Sequence, residues 1–209
     1  MDENIVKRNE TLARTLIRNL ESRHMKGYYA PNKAEALKLA LSLIPEGSSI
    51  GMGGAQSVTE IGLKKALMEG NYHFIDRDSM EDKRKAYLEC YDADFFLSSA
   101  NAISLDGVLV NIDGNANRVS AIAYGPRKVL FIVGMNKVAP DTEAAISRAR
   151  HVAAPINAQR FPVDTPCKKT GDCMDCRSPQ SICCQMLLTR FSRDPERIHV
   201  ILVGEELGF

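Results

Sequence analysis

The sequence predicts an α/β protein, built as a three-layer α/β/α sandwich around a largely parallel sheet. Wholly apolar runs such as KVLFIVG and HVILVG have the length of strands buried on both faces. Segments with apolar residues at helical spacing stand between such runs. Glycines, prolines and Asp-Gly pairs mark the joints. Strands alternating with helices argue for parallel pairing, with helices covering the sheet.

The elements follow in order. Ile5, Leu12, Leu16 and Leu20 recur on one face of a first helix, with charges between them. Residues 1–30 are therefore expected as an N-terminal helical segment packed on the main domain, which takes residues 31–209. A second helix is predicted over Lys33–Leu43: Asn32 can cap it, Glu35 stands three residues on, and Pro45 stops it. Ser49–Met52 reads as a short strand. A glycine turn and a helix from Ser57 to about Met68 come next, with Ser57 and Glu60 at capping-box spacing and Gly70 as the stop. YHFID is a strand and SMEDKRKAYLEC a helix. ADFFLSSANAI is a buried strand running into a loop, and GVLVNID a strand ending in DGNANR. NRVSAIAYG is a short helix or turn ahead of the buried strand KVLFIVG. DTEAAISRARHVAAP is a helix with Asp141 at its start and Pro155 beyond its end. SICCQMLLTRF reads as helical, and RIHVILVGEELGF closes the chain with another buried strand.

With 209 residues, 44% hydrophobic and 25% charged, the chain has ordinary globular composition and the length of one domain. Such a chain buries a core without disulfides. A net charge of +1 provides no global field for nucleic acid or an anionic membrane. The opening MDENIVKRNETL lacks the apolar core of a signal peptide. No apolar run approaches the roughly 20 residues that span a bilayer. A cytoplasmic protein with reduced thiols, no membrane span and no nucleic-acid partner is expected.

The loop GMGGAQSVTEIG places Gly51, Gly53 and Gly54 between a strand and a helix. Glycines there permit positive φ and close approach of a ligand, and the helix start offers free N–H groups to an anion. Neither G-x-G-x-x-G nor a Walker lysine is present, so the two commonest nucleotide signatures are missing. Asn101, Asn111, Asp113, Asn115, Asn117 and Arg118 crowd the next polar stretch, with turn pairs at Asp106-Gly107 and Asp113-Gly114. Loops at strand ends are where α/β sheets bind ligands. Asn and Arg can fix a polar substrate there, and Asp113 can serve as base or nucleophile. Asn136 and Lys137 stand just beyond another buried strand. The four histidines show no triad or metal spacing, and no G-x-S-x-G elbow is present.

Five of the six cysteines lie between Thr165 and Cys184. Cys167, Cys173, Cys176 and Cys183 have the spacing C-x5-C-x2-C-x6-C, with Cys184 as the alternative fourth member. Soft thiolates gathered in a loop suit zinc or an iron–sulfur cluster. Zinc would make a closed structural site, whereas a cluster would carry electrons or offer an open iron. Redox-labile thiols and inert cysteines are the other readings. Lys168, Lys169 and Arg177 would offset thiolate charge. Cys90 reads as a core residue.

The stretches SSANAISLDGVLVNIDGNANRVSAIAYGPRKVLFIVGMNKV, SRARHVAAPINAQR and TPCKKTGDCMDCRSP, together with GMGGAQSVTEIG, resemble the LUD-domain (lactate utilization, LutC/YkgG-like) family. The resemblance runs from about Asn32 to the C-terminus. It implies a fold similar to the NagB/RpiA/CoA-transferase-like proteins. It also implies a role near the oxidation of L-lactate to pyruvate, in a complex with iron–sulfur oxidoreductase subunits. The family pattern falls on Gly53, Gly54, Ser57, Asn101, Asp113, Gly114, Asn117, Arg118, Asn136 and Lys137 as ligand-site positions, and the four cysteines match a subset of small members. The expected ligand is a small anion. Further copies of the chain, as a homo-oligomer, are the other expected partner. Three functions stay open: a component or auxiliary of lactate oxidation, a stand-alone CoA-transferase-like enzyme on another small anion, and an assembly module with structural zinc.

Overall fold

The computed structural model describes residues 2–209; Met1, the first residue of the expected N-terminal segment, lies outside them. Helix α1 (Glu3–Ser22) opens the chain, and the Asp2 carboxylate caps it by accepting from the Asn4 and Ile5 amides. Six strands form one parallel sheet: β1 (Lys26–Ala30), β2 (Ser49–Met52), β3 (His73–Phe74), β4 (Phe95–Ser98), β7 (Lys128–Gly134) and β10 (Ile198–Val203). Their spatial order is β1-β10-β7-β4-β2-β3. A second, four-stranded sheet has the order β8-β5-β6-β9, from β5 (Ala102–Ser104), β6 (Leu109–Asp113), β8 (Val138–Ala139) and β9 (Gln185–Thr189). Gly107, at φ +93°, turns the β5–β6 hairpin, as its Asp-Gly pair predicts.

Strand β7 shows how the layers form. Alternate side chains of a strand face opposite ways. Val129, Phe131 and Val133 join a cluster with Leu16 and Leu20 of α1, with Cys90 of α5 (Lys83–Tyr91) and with Ile122 of α6 (Asn117–Ala123). Leu130 and Ile132 join the opposite cluster, with Ala36 and Ala40 of α2 (Lys33–Leu43), Val58 of α3 (Gln56–Glu60) and Leu67 of α4 (Leu63–Glu69). Helices thus cover both faces of the sheet, in a layered α/β arrangement. Burying each large side chain contributes about 1.5–3 kcal/mol, so the sheet centre holds much of the stability. Gly51 lets α5 approach β2, since a Cβ there would stand 2.8 Å from Cβ of Cys90. Cys90 is a core residue, as expected.

Five expectations need correction. The helix Ser57–Met68 is broken at Gly62, whose φ of +81° splits it into α3 and α4. Ser57 does not cap it, because its hydroxyl turns inward to Lys137 and Ser99. The N-terminal segment is not helical throughout: KGYYA forms the edge strand β1, paired with β10. Pro155 lies within the helical run, not after it. Helix α7 (Thr142–Arg148) passes through a π turn (Ala149–Ala153) into α8 (Ala154–Ala158), where Pro155 occupies the first turn and needs no N–H partner. SICCQMLLTRF is not helical, since Gln185–Thr189 extends to complete the edge beside β6, antiparallel to it. Among the described residues no helix is long and apolar enough to cross a membrane.

Candidate functional site

In a parallel sheet every strand ends at the same edge. Here β2 delivers Gly53 and Gly54, β4 delivers Ser99, β7 delivers Asn136 and Lys137, and β10 delivers the segment Gly204–Phe209. A cavity of about 570 Å³ opens at this carboxyl edge, within the range of small-molecule sites. Gly53, Gly54, Asp113, Gly114, Asn117 and Arg118 line it, together with Arg77, Asn157 and Arg160. A recess of about 30 Å³, one water's share of space, shares the walls Gly54, Arg118 and Arg160 and adds Ser99, Asn101 and Lys137.

The glycines act by close approach. Gly51, Gly53 and Gly54 all lack positive φ, contrary to expectation. A Cβ on Gly53 would stand 2.9 Å from Cδ of Arg118, so this glycine gives the arginine its path across the loop. A Cβ on Gly54 meets nothing nearer than the Arg77 guanidinium at 3.6 Å, an ordinary contact on the cavity side.

Asp113 anchors that arginine. Its carboxylate accepts from the backbone amides of Asn115 at 3.1 Å, Arg118 at 3.0 Å and Val119 at 3.1 Å, holding the first turn of α6. With its oxygens engaged so fully, Asp113 is placed to organise the turn. The Arg118 side chain donates through one terminal nitrogen to the Ile112 carbonyl. Its Nε lies 3.8 Å from Asp113, too far for a hydrogen bond, and is buried with no partner. An unpaired buried donor costs about 1–3 kcal/mol. Arg160 donates to Asn157 and has no carboxylate within ion-pair distance among the described residues. Arg118 and Arg160 thus bring two permanent cations to the cavity lining with no carboxylate hydrogen-bonded to either side chain, while Asp76 and Asp78 line it as well.

Lys137 is 3% exposed. Its Nζ stands 3.0 Å from Oγ of Ser57 and 3.1 Å from Oγ of Ser99, and the two hydroxyls are 3.2 Å apart. No carboxylate pairs with it among the described residues. Burial above all, helped by Arg148 and Arg118 and opposed by Glu60, pushes the amine down to about 7. Asn136 lines neither cavity. It fastens the chain end instead, accepting from the Leu207 amide and donating to the Gly208 carbonyl. Asn101 lines the recess, and its side-chain oxygen accepts from the Ile112 amide at 2.8 Å.

The cysteine segment adjoins the same cavity through Ile182, which lies against Gly114. Cys167 stands in helix α9 (Pro166–Thr170), and Cys173, Cys176, Cys183 and Cys184 in the irregular chain after it. All are free thiols. The chain packed around Cys183, and then its four neighbouring cysteines, raise its thiol to about 11. Arg150 reaches the segment at Asp175, 2.7 Å, and His151 at Asp172, 2.7 Å, both from the π turn. The donors are soft and suit zinc or iron. Among the described residues, however, no three of His, Cys, Asp or Glu are drawn together tightly enough to hold an ion.

Sequence reasoning missed Ser99, Arg160 and Asn157. Ser99 carries a small signal, as the second serine of SSANAI directly after a buried strand. Asn157 and Arg160 fall within SRARHVAAPINAQR, a stretch that carries the family resemblance, but no spacing marks them as site residues; they join the site through the packing at the end of α8.

The family model of the LUD domain matches residues 13–203. A search of curated proteins found no match. Among solved structures, a DUF162 family protein from Deinococcus radiodurans superposes with a TM-score of 0.53, covering 93% of this chain and 98% of that chain at 14% identity. That likeness speaks for the fold. Because the family match runs from within α1 to the last residue of β10, taking in both sheets and the loops after β2, β4, β6 and β7, the chain belongs to the LUD-domain family.

Proposed function

We propose that this protein is a component or auxiliary of the oxidation of L-lactate to pyruvate, and that it holds a small carboxylate ligand in the carboxyl-edge cavity. The layered fold is read as the NagB/RpiA/CoA-transferase-like sandwich. The observation that carries the reading is the Arg118 Nε, a buried donor without a partner in the wall of a cavity that also receives Arg160. A carboxylate supplies what that donor lacks, and a charge-assisted bond in a partly dry site is stronger than one between neutral groups. Gly53 and Gly54 clear the space, Asp113 sets the arginine, and Asn117 offers a polar wall. In this reading Asp113 positions Arg118 and does not take a proton from substrate.

Cys167, Cys173, Cys176 and Cys183, with Cys184 as the alternative, would hold zinc or an iron–sulfur cluster beside this cavity. A cluster supplies one-electron chemistry, and zinc a closed structural cross-link. Iron–sulfur oxidoreductase subunits are the partners that suit a cluster, and a reducing compartment suits the free thiols.

Titration calorimetry with L-lactate and with pyruvate tests the ligand. One saturable site per chain is expected. Gly54→Val puts a side chain into the cavity without a backbone clash. It should weaken binding about tenfold or more, a loss of about 1.4 kcal/mol, with the melting temperature kept. Absence of binding by both acids would refute the reading.

A further inference from the structure

The sheet edge brings together three side chains that anion binding does not use. Ser57, Ser99 and Lys137 follow three different strands and form a closed triangle, with Nζ–Oγ distances of 3.0 and 3.1 Å and an Oγ–Oγ distance of 3.2 Å. Nothing anionic completes the group. A buried amine whose only close partners are hydroxyls, with Arg148 and Arg118 near it and Glu60 opposing them, gives up its proton near 7, well below the ordinary lysine range. Neutral, it has a lone pair that can accept a hydroxyl proton. The two serines differ in access. Ser57 is fully buried, and its hydroxyl also lies 3.4 Å from the Leu207 carbonyl. Ser99 is 8% exposed and lines the recess that adjoins the large cavity.

We propose that Ser99 is a nucleophile for acyl transfer, with Lys137 as the base that takes its proton and Ser57 as the hydroxyl that holds the amine in line. The chemical class of substrate is an activated acyl compound, an ester or thioester, carrying an anionic group that Arg160 and Arg118 receive. In the first step Ser99 Oγ attacks the acyl carbon and its proton passes to Lys137 Nζ. The bond from that carbon to the leaving oxygen or sulfur then breaks. The leaving atom takes the proton back from Lys137, and the acyl group remains on Ser99. Water or another hydroxyl or thiol reverses these moves and frees the serine. No oxidant or reductant is needed. Serine with a lysine base is an established variant of the nucleophile–base pair.

This inference stands apart from lactate binding, since it concerns covalent chemistry on an acyl donor. The test uses 4-nitrophenyl acetate with the full chain, following nitrophenolate release and the intact mass. The expected result is a burst of about one equivalent per chain, with acetyl mapped to Ser99. Ser99→Ala and Lys137→Met should lose the burst while keeping the far-ultraviolet dichroism of the parent. The wild-type burst rate should rise with pH as the amine gives up its proton; a flat profile would remove Lys137 from the base role. Peptide mapping of the wild-type chain decides the nucleophile even if a variant misfolds. Acetyl on Lys137, or only on scattered surface lysines, would overturn the assignment of Ser99.

Discussion

Lys137 is where burial and charge conflict most sharply. The unfolded chain keeps the lysine proton up to the ordinary range near 10.4, whereas the folded chain releases it near 7. Between those values the unfolded state binds more protons, so stability contributed through Lys137 rises with pH, with a slope approaching about 1.4 kcal/mol per pH unit. Below about 7 both states are protonated and the slope vanishes. Chemical denaturation from pH 6 to 10 should show this rise in the parent and its loss in Lys137→Met. Equal slopes in the two proteins would mean that the amine is not buried as described. Gly54, Arg118 and Lys137 were legible in the sequence because each sits in a loop directly after a strand or in a dense polar run. Ser99 was less so, since a serine after a strand is ordinary until a lysine from another strand is found against it. The role of Gly53 was legible only as a glycine; that it makes room for Arg118, and needs no positive φ, is a fact of packing.

At the scale of elements, the long buried strands and the helix starts at Asn32 and Asp141 were read correctly, because apolar runs and N-cap residues act locally. Asn32 accepts from the Glu35 amide at 3.0 Å, as its spacing requires. The failures are elements whose conformation is decided by a neighbour. QMLLT becomes strand β9 because β6 offers it an unpaired edge, and KGYYA becomes β1 because β10 does. Gly62 breaks a run that periodicity alone would continue. The cysteine segment is the element whose chemistry remains most exposed to test. Under the proposal, anaerobic purification should give a chain with zinc, or with iron and sulfide, in stoichiometric amount. Cys176→Ser combined with Cys183→Ser should release it. A metal-free protein in which all five clustered thiols react freely with a thiol reagent would leave those cysteines without a shared ion.

The whole molecule is one parallel sheet that sends four strand ends to a single place, with a smaller sheet closing the side from which Arg118 comes. That convergence was foreseeable from the alternation of strands and helices, since ligands bind at the carboxyl edge of such sheets. What could not be foreseen is which loops meet, because strand order is set by long-range packing and not by local pattern. The arrangement makes the cavity a property of the fold, and its cationic end a property of a few residues. In the proposed function a carboxylate satisfies the orphaned donor of Arg118. A crystal structure of the chain soaked with pyruvate tests this most directly. The carboxylate should lie within hydrogen-bond distance of Arg118 Nε, with the acid in the cavity beside Gly54. Pyruvate bound elsewhere on the chain, with that nitrogen still unpaired, would contradict it.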